Sequence, residues 1–174
     1  MTDEQIRYPI GRFTPPASYT NEEIQHLIQT IKTLPGKMRQ AIISLNEKQL
    51  DTPYRTGGWN LRQLVHHVAD SHMNGLTRFK LALTENNPTI KPFEEVGWAL
   101  LADYNMPVES SLQILEGMHL HLVALLESFT DEHWNRTFVN PSSGSTMNLK
   151  NALALYAWHG THHLAHITET VKKI

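Results

Sequence analysis

The chain has 174 residues, 40% hydrophobic and 18% charged, with a formal net charge of −2. That length suits one domain, residues 1–174, with a sizeable core, and the lack of a basic block argues against a nucleic-acid or membrane-surface binder. Cysteine is absent, which excludes disulfides, zinc–thiolate sites and cysteine nucleophiles and leaves nitrogen and oxygen as metal ligands.

Residues 1–17 contain Pro9, Gly11, Pro15 and Pro16 and read as an extended arm without a secretory apolar segment. TNEE opens the first long helix as a capping box, Thr20 capping and Glu23 reaching back. Ile24, Leu27, Ile28 and Ile31 then fall at helical spacing, and Pro35–Gly36 is expected to kink or break the helix. DTPYRTGG is a loop. Its RTGGW turn, Arg55 to Trp59, reads as a tight turn into a capped helix, with an anion nest as the competing reading. Asn60 caps the second long helix, about 60–85, which stops at Asn86-Asn87-Pro88. A short helix, FEEVGWALLADY, follows Pro92, and a third long helix covers about 109–129. VNPSSGSTM is a turn-rich connection with room for a small hairpin, and Asn148 caps the last helix, about 149–172. Four long helices and one short one, with almost no strand, predict an all-α four-helix bundle. The long connections argue against a plain up-down-up-down order. No apolar run is long enough to span a bilayer, and a cytoplasmic location is expected.

Four of the eight positions from 159 to 166 are histidine. On the last helix the apolar stripe runs through Leu149, Ala152, Leu153, Tyr156, Leu164, Ile167 and Val171. His163 lies within it and His159 on its shoulder, while His162 and His166 lie further round. The i, i+4 pair His159 and His163 can converge on one cation, and His162 reads as a surface residue. A third ligand must come from a facing helix. Helix two offers His66, His67 and His72, with His72 nearest its apolar centre; helix three offers His119 on its stripe. Periodicity does not choose among them. The HExxH motif of zinc proteases, GxSxG and P-loop motifs are absent.

DTPYRTGGWNLRQLVHHVADSHMN and LYAWHGTHHLAHITE, with YPIGRF and RFKLALTE, resemble the YfiT branch of the DinB-like superfamily. The likeness covers nearly the whole chain. It implies a four-helix bundle, one divalent metal per subunit, zinc or nickel, and a homodimer in the cytoplasm. It also implies the ligand set His67, His159 and His163, the last two agreeing with the helical spacing and the first supplied by the resemblance alone. The implied activity is metal-dependent hydrolysis of a small molecule. Related members transfer or isomerise with a low-molecular-weight thiol such as bacillithiol, and a non-catalytic metal-binding module is the third class. Asp70, i+3 from His67 and i+4 from His66, is a candidate to orient an imidazole. His119, pointing inward, is a candidate general acid or base. Arg55 and Tyr54 are weaker candidates for holding an anion.

Overall fold

The computed structural model describes residues 2–142 and 144–174. In chain order the elements are α1 (Asp3–Arg7), α2 (Asn21–Ile42), α3 (Glu47–Leu50), α4 (Leu61–Thr84) and α5 (Glu95–Trp98). A 3₁₀ turn (Ala102–Asn105), α6 (Glu109–Glu127), α7 (Asp131–Asn135), β1 (Thr137–Asn140), β2 (Ser145–Asn148) and α8 (Leu149–Val171) follow. The four long helices α2, α4, α6 and α8 form the expected bundle. Capping boxes start α2 at Thr20 with Glu23 and α4 at Asn60 with Gln63, satisfying amide groups that the first turn leaves free.

Side-chain pairs fix the direction of each helix. Tyr19 meets Asn151 and Leu34 meets Gly160, so α2 and α8 run parallel. His66 meets Ser111 and His72 meets His119, so α4 and α6 also run parallel. His67 beside His163 and Phe79 beside Tyr156 make α4 antiparallel to α8. The principal neighbours of α2 are α8 and α6, and those of α4 are α6 and α8. The order is therefore up-down-down-up. The parallel step from α4 to α6 obliges residues 85–108 to travel back along the bundle, which accounts for that long connection.

Three sequence expectations change. The arm is not extended throughout: Thr2 and Gln5 make a capping box, and α1 folds over α8. Pro35 does not break α2, which is continuous through it with Pro35 buried; packing against α6 and α8 holds the helical path. The short helix after Pro92 is two pieces, α5 and the 3₁₀ turn. The turn-rich connection is a hairpin in which Thr137 to Asn140 pair antiparallel with Asn148 to Ser145.

The core has two apolar clusters. One holds Ile24, Ile28 and Ile31 of α2, Phe79 of α4, Leu122 and Leu126 of α6, and Leu149, Leu153 and Tyr156 of α8. The other holds Leu34 and Met38 of α2, Leu64 and Val68 of α4, Leu112 and Leu115 of α6, and Ile167 of α8. Between them each helix passes through one level of the bundle, and at that level lie His67, His72, His119, His159 and His163.

Candidate metal centre

His67, His159 and His163 each offer a ring nitrogen, and the three nitrogens lie within 4.8 Å of one another. The His67 and His159 Nε2 atoms are 3.1 Å apart. A tetrahedral cation bonded to imidazole at 2.0–2.1 Å requires ligand nitrogens roughly 3.3 Å apart, so the arrangement fits one with little movement. The i, i+4 spacing places His159 and His163 on one flank of α8, their rings 4.6 Å apart edge to face. His67 comes from α4 across the interface.

The two histidines of VHHVAD face different neighbours. His66 turns to α6, where its Nδ1 accepts from Ser111 Oγ at 2.7 Å and its Nε2 donates to the Met106 carbonyl at 3.1 Å. His67 turns to α8. This is why helical periodicity, which sees one flank or the other but not the neighbour, left the third ligand open. Trp59, at the end of the RTGGW turn, lies with its ring 4.6 Å from that of His67.

Burial sets the protonation state. It holds His67 down to about 4 and pushes His159 and His163 well below the ordinary imidazole value, with neighbouring imidazoles adding to the effect. Desolvation disfavours the cation, and neutral imidazole is the form that ligates. The donor set therefore fits a divalent metal chemically as well as geometrically.

One side of the centre is open. A cavity of about 350 Å³, lined by Ser71, Arg78, Phe93, Glu95, Tyr156 and His159 among others, reaches the ligand set. Arg78 Nη1 donates to the Tyr156 hydroxyl at 2.9 Å, while its buried Nε has no partner among the described residues. Phe93, from the long α4–α6 connection, forms part of the wall.

The other candidate residues lie elsewhere. Asp70 does not orient an imidazole: its carboxylate accepts from the Tyr104 hydroxyl at 2.8 Å, and both His66 nitrogens have other partners. It ties the 3₁₀ turn to α4 instead, and burial raises its pKa. His119 points inward as expected but reaches the ligand set only through His72, whose Nδ1 is 3.0 Å from His119 Nε2. Arg55 donates to the Tyr54 hydroxyl and to the Thr56 carbonyl, and Gly57 has a φ of +67°, so RTGGW is a tight turn. His162 is not on the surface. Trp158 stacks on it at 4.6 Å, Tyr8 of the arm lies at 5.8 Å, and it is 6% exposed; the fold of the arm over α8 was invisible to periodicity.

His162, His163 and His166 form a second close group. Both His166 nitrogens are engaged, Nδ1 with His163 Nδ1 at 3.4 Å and Nε2 with the Arg7 carbonyl at 3.1 Å. His166 is thus a hydrogen-bonded neighbour of the first group, while the buried His162 Nδ1 has no partner among the described residues. Sequence reasoning gave His166 no role, and its only signal was its place three residues after His163.

The chain is similar to known proteins along nearly its whole length. A model of the DinB superfamily matches residues 30–167. Proteins of Bacillus cereus and Bacillus thuringiensis, each named as a candidate metal-dependent hydrolase, are 54% identical over 169 residues, covering 97% of both chains. The solved structure of YfiT from Bacillus subtilis, described as a probable metal-dependent hydrolase with an unusual four-helix bundle topology, is 44% identical and superposes with a TM-score of 0.95 over 97% of each chain. The chain belongs to the DinB superfamily, in its YfiT-like branch.

Proposed function

We propose that the protein is a metal-dependent hydrolase in which His67, His159 and His163 hold one divalent cation, zinc or nickel. The observation that carries this reading is the convergence of three neutral imidazoles, two buried and one half-buried, at the end of an open cavity. When bound, such a cation supplies Lewis acidity and lowers the pKa of a water toward neutrality. The chain's own residues do the rest. Trp59 and Phe93 cover His67 and limit water access. Arg78, oriented by Tyr156, presents a buried N–H that a substrate oxygen can take. The cavity's size admits a small molecule.

The same three ligands support a second reading, in which a low-molecular-weight thiol is ionised for attack on an electrophile. The cysteine-free composition favours it to this extent: the chain supplies no sulfur nucleophile, so any sulfur chemistry requires a cosubstrate.

Elemental analysis of purified untagged protein beside His163→Ala tests the centre. About one divalent ion per chain, lost in the variant, is the expected result; no metal after reconstitution with zinc and nickel overturns it. Cobalt-substituted protein then separates the chemistries. Turnover of simple esters or amides without thiol supports hydrolysis. A thiolate-to-cobalt charge-transfer band on thiol addition supports transfer. A spectrum unmoved by thiol or hydroxide leaves a non-catalytic metal-binding module.

A further inference from the structure

His159 Nδ1 lies 3.4 Å from His72 Nε2, His72 Nδ1 lies 3.0 Å from His119 Nε2, and His119 Nδ1 lies 2.7 Å from the Ile31 carbonyl oxygen. A carbonyl only accepts, so His119 carries its proton on Nδ1. A neutral His119 then offers a lone pair at Nε2, which requires the proton of His72 on Nδ1. The same step places the proton of His159 on Nδ1 and leaves its Nε2 lone pair facing His67 and His163. The Ile31 carbonyl is available because of Pro35. In an α-helix the carbonyl of residue 31 accepts from the amide of residue 35, and proline has none. Pro35 stands inside a continuous helix, and His119 fills the place its amide leaves.

The third ligand repeats the arrangement with different parts. His166 Nε2 donates to the Arg7 carbonyl, at the end of α1 where helix carbonyls lack an intrahelical donor. His166 Nδ1 is then a lone pair that accepts from His163 Nδ1 at 3.4 Å, which frees His163 Nε2. His67 has no such anchor, and its buried Nδ1 has no partner among the described residues.

We propose that His72, His119 and His166 are positioning residues that fix the tautomers of two metal ligands, and that Pro35 serves this relay by freeing the Ile31 carbonyl. The inference rests on the reading of His159 and His163 as ligands. Metal ligands that donate their second nitrogen to a fixed acceptor are oriented by it, and loss of such a partner typically costs about 10–100-fold in affinity. Here the acceptor is reached through one or two further imidazoles.

Long-range ¹H–¹⁵N correlation spectra of metal-free protein are the direct test. His72, His119, His159 and His163 should carry the proton on Nδ1, and His166 on Nε2. His119→Phe should shift the tautomer of His159 and leave that of His163 unchanged, and His166→Phe should do the reverse. Each should weaken zinc binding about 10–100-fold in competition with a chromophoric chelator. Pro35→Ala restores an amide for the Ile31 carbonyl. It should weaken zinc binding less, with a melting temperature of the metal-free protein at or above that of the wild type, a combination that a purely structural role for Pro35 does not produce. Zinc affinities of His119→Phe and Pro35→Ala within twofold of wild type overturn the relay while leaving the ligand set intact, as does a His159 protonated mainly on Nε2. A wild-type protein that binds neither zinc nor nickel overturns the ligand reading, and the relay's role with it.

Discussion

The apolar clusters and the histidine level between them stabilise the same four helices by opposite means. In the clusters each side chain touches many others and no contact is specific to one atom. Ile31, Phe79, Leu122 and Leu153 pack together through shape alone. At the histidine level each nitrogen has one partner or none, and the sequence of partners has a direction. The difference teaches that apolar packing and the proposed metal-binding geometry are carried by separate atoms that share the same helices. Packing tolerates substitution of similar volume; a one-directional chain of neutral imidazoles does not.

Acid acts on the buried histidines and not on the apolar clusters, and has the largest expected effect. The folded pKa of His67 is lowered to about 4 from an ordinary 6.5, and burial also holds those of His72, His159 and His163 well below the ordinary value. The unfolded chain therefore takes up protons first. Stability is fully present above about pH 6.5 and is lost as the pH falls from there toward 4, with His67 alone contributing on the order of 3 kcal/mol. Chemical denaturation of the metal-free protein across this window should show that slope.

Phe79→Ala breaks a cluster and spares the histidines. It should cost about 3–5 kcal/mol in denaturant titrations while zinc affinity at 25 °C stays near that of the wild type.

Gly160→Ala tests the border, because a methyl group there meets the Leu34 side chain and lies 3.3 Å from His72 Cε1. Overpacking predicts a loss of about 1–3 kcal/mol together with weaker zinc binding, so both readouts should move.

His26, exposed on α2 and part of neither region, is the control. His26→Ala should change stability by less than about 0.5 kcal/mol and leave metal content unchanged.

Much of this comparison was legible in the sequence. The bundle follows from four amphipathic segments with caps at Thr20, Asn60 and Asn148. The pair His159 and His163 follows from its spacing on the α8 stripe, since local geometry alone brings such residues together. His67 came from the family likeness, because its choice over His66 depends on which neighbour each flank of α4 meets. The anchors were not legible. Arg7 lies 159 residues from His166 and Ile31 lies 88 from His119, and no periodicity relates residues on different elements. Pro35 was read for what it denies its own helix. What it offers another helix appears only when α6 is in place.

The up-down-down-up order also bears on how the molecule folds. Helical bundles with local contacts fold fast, and rates fall as contacting residues lie further apart in the chain. Parallel neighbours cannot form as hairpins, so the α2–α8 and α4–α6 contacts both wait for distant segments. The proposed ligands and their anchors draw on residues 7, 31, 67, 72, 119, 159, 163 and 166, which meet only after all four long helices have docked. On that ligand set, cation capture is a late event. It acts on the lifetime of the native state, so zinc should slow unfolding and leave the refolding rate nearly unchanged.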